Sequence, residues 1–444
     1  MAKTAAETAL ADIFSTVKAG MPGDAGLAAR RQEAFDSFAA QGLPHRRVES
    51  WHYTDLRTLL REAAPLAGPP DVLALGQAAG ARAQLAELDV RRLYMVNGAF
   101  VPDISDLSDL EEGLTIRAMA QALDEGEGPL AAQISTHLGR TVASDDAALA
   151  LNMALMRDGL VVHVAAGAKV KRPLAVIHVT SGDTPVAVFT RSLVVLEHGA
   201  ELSLIESHEG PDGVAYQVNT ALELVVGEDA HLSRVKLTHE GDAALHVASV
   251  LLSVADRAKL ALASFNSGGA VVRNQTMTQL TGEAIDAWFG GVSLLNARQQ
   301  TDTLLEVEHQ APGSESRENF RAVLDGAARD SFQGRIVVKQ AAQKTDARMM
   351  SRALLLSDRA ESNNKPELEI FADDVQCAHG CTTGELDQQV KFYLMARGIP
   401  EKEAEALLIQ AFVGEVLEGI AHEELRAVLI EATRNWLRKR GENE

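Results

Sequence analysis

The chain has 444 residues, with 42 Lys and Arg against 62 Asp and Glu, a formal net charge of −20. Hydrophobic residues at 46% and charged residues at 23% are a globular composition, long enough to bury a sizeable core in one large unit or two to three smaller ones. The acidic balance argues against unaided binding to nucleic acid or anionic membranes, since the phosphate attraction would be reversed, and two cysteines exclude a disulfide scaffold and suit a reducing compartment.

The N-terminal residues carry no charged-then-apolar targeting pattern, and no apolar run approaches the ~18 residues that a membrane-spanning helix needs. A soluble, cytoplasmic chain is therefore expected. Residues 1–90 read as helical: Leu10, Ile13, Phe14 and Val17 share one face, and Ala34, Phe35 and Phe38 lie on a second helix that stops at Gly42, Leu43 and Pro44. Trp51 and Tyr53 follow, and an aromatic anchor is the expected role. Residues 91–157 form a mixed connecting segment, with a strand at Arg92–Val96 and a helix from Asp145 to Met156.

From 158 to 381 the pattern changes to short alternating runs such as Leu202-Ser-Leu204 and Leu260-Ala-Leu262. No proline lies between Pro211 and Pro312, as strands that need every ladder donor require. A turn-like group ending in Ala recurs at Gly167-Ala168, Gly199-Ala200, Asp229-Ala230, Arg257-Ala258, Glu283-Ala284, Ala327-Ala328 and Arg359-Ala360, at intervals of 26–32 residues with one interval of 44. A near-constant period with one strand–turn signature per repeat predicts a β-solenoid, each coil stacked on the last. The rival is a large antiparallel sandwich or barrel, for which the Asn-Gly and Asp-Gly hairpin turns are sparse.

Residues 382–444 return to helix. Thr382, Thr383, Gly384 and Glu385 have the form of a capping box opening a helix that presents Leu386, Val390, Tyr393 and Leu394. Gly398 and Pro400 stop it. A second helix presents Leu407, Leu408 and Phe412, a third Leu425, Leu429 and Trp436, and the basic tip 434–440 reads as a solvated helix end.

Phosphate-cradling, dinucleotide-binding, metalloprotease and serine-hydrolase motifs are all missing from the sequence. Histidines 163, 178, 231 and 246 stand singly in strand runs and read as packed or surface residues. One segment differs: Asp373-Asp374-Val-Gln-Cys377-Ala-His379-Gly-Cys381 gathers both cysteines around a histidine. Thiolate and imidazole are ligand types selected by iron and zinc. On a strand Cys377, His379 and Cys381 point to one side, because side chains alternate with period two. Three ligands fall short of a closed four-ligand zinc site, so a partial metal site completed by another chain is the functional reading, and a strand end with a satisfied histidine is the bland one. Asp373 and Asp374 are expected to shape the turn.

The run Lys365-Pro-Glu-Leu-Glu-Ile-Phe-Ala-Asp-Asp-Val-Gln-Cys-Ala-His-Gly380, with Gly384-Glu-Leu-Asp387 and Phe392-Tyr-Leu-Met-Ala-Arg-Gly-Ile399, resembles the SufB/SufD family of iron–sulfur cluster assembly proteins. Phe332-Gln-Gly-Arg-Ile-Val-Val338, Ala342-Gln-Lys-Thr-Asp-Ala347 and Leu354-Leu-Leu-Ser-Asp-Arg-Ala360 fit the same family, and Gly42–Leu56 resembles the N-terminal signature of one of its branches. The resemblance implies a mainly β protein, a right-handed parallel β-helix flanked by N- and C-terminal helical domains. It implies a non-catalytic scaffold subunit that pairs with a SufB paralogue through the β-helix and docks the SufC ATPase through the C-terminal helices, with no nucleotide site of its own. It also places His379 at the interface with SufB, where a transient iron–sulfur cluster forms, with Cys377 and Cys381 as candidate ligands beside it. The sequence departs from the family pattern at Cys381, where Ala is expected after His-Gly, and this extra thiol is expected to be inert. An enzyme of the β-helix polysaccharide-lyase kind is the alternative; such enzymes work with carboxylates and basic residues along an outer groove.

Overall fold

The computed structural model describes residues 3–81 and 85–442. Among these, the strands alternate between two sheets of ten and nine strands, stacked as a parallel β-solenoid of about eight turns. Parallel pairing throughout the central coils sets aside the antiparallel sandwich. Each coil gives one strand to each sheet, so residues in register stack along the axis. Leu202, Leu232, Leu260 and Ala287 form one such line in the dry interior. Both faces of a parallel sheet are covered, which is why these strands are rich in Val, Leu and Ile on both sides.

The repeated turn seen in the sequence is the coil's corner. Gly167, Gly199, Asp229 and Arg257 adopt the left-handed conformation, φ between 54° and 71°. The residues after the last three, Ala200, Ala230 and Ala258, are fully buried, where the corner accepts a methyl group. Gly313 and Lys344 continue this corner in later coils. By contrast Ala327-Ala328 and Arg359-Ala360 precede Arg329–Val338 and Glu361–Ile370, strands of the other sheet. The 44-residue interval is a jump from one corner of the coil to another.

The ten-stranded sheet includes Arg91–Val96, which pairs in parallel with Leu174–Val179. Helices cover both outer faces. Ala147–Leu155 and the N-terminal helices Ala5–Val17 and Ala25–Gln41 lie over the nine-stranded sheet, meeting Phe189 and Leu245. Glu401–Leu417 and Glu423–Glu442 pack Ile409, Val413, Leu425 and Leu429 onto Val235, Phe265, Val292 and Val323 of the ten-stranded sheet. The capping box expected at Thr382–Glu385 does not form. Thr382, Thr383 and Gly384 instead pair with Arg352, Ala353 and Leu354, and the helix Gln388–Ala396 begins under Asp387, whose side chain accepts from the Gln389 and Val390 N–H groups. Ladder pairing satisfies that backbone first, and the cap moves downstream.

Candidate metal-ligand face at the open end of the solenoid

The last strand, Gln376–Gly384, pairs with Asp346–Leu354, placing Cys377 opposite Ala347, His379 opposite Met349 and Cys381 opposite Ser351. Ala347, Met349 and Ser351 are buried, and Ala347 and Met349 belong to the solenoid core against which Cys377 packs. The three candidate ligands thus continue interior-facing lines of the coil stack. Cys377 is half-buried, and His379 and Cys381 are exposed because no further coil among the described residues covers them. Burial, with the Asp346 and Glu318 carboxylates nearby, pushes the Cys377 thiol above its ordinary value. A metal bound there would have to displace a proton.

The facing strand, Glu361–Ile370, carries a polar floor: Ser351 Oγ donates to Asn364 Oδ1 at 2.6 Å, and Asn364 Nδ2 donates to Ser362 Oγ at 3.1 Å. Deeper in the same line as His379, beyond Met349, lies Glu318. Its burial pushes the carboxyl up to about 8, against opposing contributions from Ser316 and Arg317. Burial and the Asp302 charge raise Asp330 to about 7. Asp374 pairs with Lys344 at the corner before the last strand, and its backbone N–H donates to Gln343 Oε1 at 3.0 Å.

Glu318 makes stability depend on pH in a calculable direction. Between the ordinary value of 4.5 and about 8 the folded chain holds a proton that the unfolded chain has released. The penalty is therefore absent below 4.5, grows as pH rises at up to about 1.4 kcal/mol per pH unit, and is complete above about 8. Glu318→Gln should raise the denaturant midpoint far more at pH 8 than at pH 5; equal effects at both values would contradict this.

The segment after Gly42 is a clamp on the outer face of the nine-stranded sheet. Trp51, 1% exposed, stacks on the Arg273 guanidinium at 3.9 Å, and its Nε1–H donates to Asp146 at 2.6 Å. Arg273 forms a fully buried ion pair with Asp302, which also accepts from Thr54 Oγ1 at 2.6 Å. Arg273 Nη2 and Gln333 Nε2 both donate to the Ser50 carbonyl, and Lys365 of the strand Glu361–Ile370 meets Glu49 at 2.7 Å. The anchor expected of Trp51 thus reaches almost to the open end. Tyr53 stays half-buried, its ring edge-on to His52.

Two features escaped the sequence reading. His178 and His246 do not stand singly: both meet His208 inside the solenoid. The coil period itself held that signal, since one coil separates His178 from His208. The helix Gln388–Ala396 buries none of its residues and leaves Phe392 71% and Tyr393 54% exposed, with Val390 and Leu407 nearby in sequence also exposed. No helix among the described residues is long and apolar enough to cross a membrane.

Comparison with known proteins gives a consistent pattern. Residues 178–412 match the family model described as SUF system FeS cluster assembly, SufBD core domain, and residues 6–176 match the SufBD protein N-terminal region. The chain is 32% identical to the iron–sulfur cluster assembly protein SufD of Escherichia coli, over 89% of each chain. It is 31% identical to an iron–sulfur cluster assembly SufBD family protein of Synechocystis, over 91% of this chain and 90% of that one.

Proposed function

The chain belongs to the SufBD family of iron–sulfur cluster assembly proteins, and from that membership we propose that it is the SufD-type, non-catalytic scaffold subunit of a cytoplasmic SUF complex. In this reading the open end of the solenoid pairs with a SufB paralogue, and the C-terminal helices dock the SufC ATPase. His379, with Cys377 and Cys381 on the same strand face, is offered to incoming iron or to a nascent cluster. The observation that carries the reading is the coincidence of two sheet edges left unpaired among the described residues, at Glu361–Ile370 and Gln376–Gly384, with Cys377, His379 and Cys381 on the inward face of one of them. An open parallel edge is a template for strand addition, and three donors leave positions for a partner's ligands. The carbohydrate-active alternative is set aside by the family.

Hydrogen exchange tests the pairing. Amides within 300–380, and most strongly those of Glu361–Ile370, should gain protection when SufB binds. Unchanged exchange there would remove the edge from the interface.

For ATPase docking, deleting 383–444 is a poor test, because it strips the cover from Val235, Phe265 and Val292. A double substitution Phe392→Ser/Tyr393→Ser alters only the exposed helix. It should weaken SufC capture on the order of tenfold or more, as loss of aromatic anchors does, with the melting temperature retained. Capture at full strength would place docking elsewhere.

A further inference from the structure

Far from the open end, the solenoid interior turns polar between aliphatic coils. His178 and His208 occupy register positions on Leu174–Val179 and Glu201–Glu209, with rings stacked at 4.3 Å. Glu206 shares the second of these strands, and the ligand atoms of His178, Glu206 and His208 all lie within 4.8 Å of one another. The neighbouring His246 is occupied: it sits 2.8 Å from Glu240 at Nδ1 and 2.8 Å from the Lys236 ammonium at Nε2. His208 is not. It is 1% exposed and its Nδ1 has no hydrogen-bond partner among the described residues. An unmet buried polar atom is costly, a cost that a bound ligand would offset.

We propose that His178, Glu206 and His208 form a binding site for a divalent first-row transition cation, separate from the thiols and imidazole of the last strand. Two imidazoles and one carboxylate are a donor set suited to iron, manganese or zinc in the divalent state, with coordination positions left for Glu240 or water. Burial pushes His178 down to about 4 and His208 well below its ordinary value. Both imidazoles are therefore neutral at pH 7, the form that binds metal. His178 keeps part of its surface exposed. The two stacked rings must tilt for their lone pairs to converge. Charge is accommodated as well. Glu206 and Glu240 are balanced by Arg234 and Lys236.

The test uses the untagged full-length chain carrying Cys377→Ser, His379→Ala and Cys381→Ser, which removes the donors at the open end and makes the result independent of the function proposed above. Anaerobic titration with Co²⁺, followed by visible absorbance and equilibrium dialysis, should show about one ion per chain in a site of few, fixed ligands. Adding His208→Leu should weaken binding at least about tenfold. The metal-free unfolding midpoint should not fall, since His208 surrenders no hydrogen bond. If that variant does not fold, His178→Gln at the solvent side should give the same loss. Absence of Co²⁺ binding in the triple variant, or binding that survives both substitutions, overturns the site.

Discussion

Replacing His379 with alanine should cut cluster yield in the anaerobically reconstituted complex by about tenfold or more, the scale on which a lost metal contact acts. The residue is exposed on the last strand, opposite Met349. Its removal opens no core cavity, so folding and partner binding should persist. Cys381→Ala should change little if that thiol is inert. Cys377→Ala should fall between the two, because Cys377 packs against the core as well as facing the open end. The readout is cluster absorbance per complex, with partner capture measured on the same samples. Wild-type yield from His379→Ala would end its role as a ligand and leave it a plain strand-end histidine.

The largest effect on stability is expected at the clamp. Arg273 and Asp302 are both fully buried, and each depends on the other to offset the cost of leaving water. Asp302→Ala strands the Arg273 charge beneath Trp51 and should cost about 3–5 kcal/mol in denaturant unfolding. Replacing both, as Arg273→Met with Asp302→Leu, should recover much of that loss, because a well-packed apolar pair can substitute for a buried ion pair. The exposed Glu49, paired with Lys365, is the contrast, and Glu49→Ala should leave the midpoint unchanged. If Asp302→Ala and Glu49→Ala were equally mild, the clamp would hold the N-terminal helices only loosely.

The capping-box pattern illustrates how local signals compete. At Thr4 and Glu7 the same pattern forms a true reciprocal cap on Ala5–Val17. At Thr382–Glu385 it lies beside Arg352–Leu354, and the ladder takes those residues. A helix cap contributes about 1 kcal/mol from a few residues, whereas register along a whole strand is held by every pair at once. The residue pattern is the same in both places, and only the neighbouring coil distinguishes them.

The solenoid and the alignment of Cys377, His379 and Cys381 followed from the sequence alone, because both depend on short-range periodicity: a corner roughly every thirty residues, and side chains that alternate along a strand. The family, too, was legible in the blocks around these residues. The tertiary structure decided what spacing does not encode. It showed that the three donors face inward at an uncovered end, that Trp51 rests on a buried Arg273–Asp302 pair, and that His178, His208 and His246 meet inside the coils. Each of these sets which residues exclude water from which others across dozens of residues of intervening chain. That depends on the register and stacking of complete coils, a property no local stretch of the sequence carries.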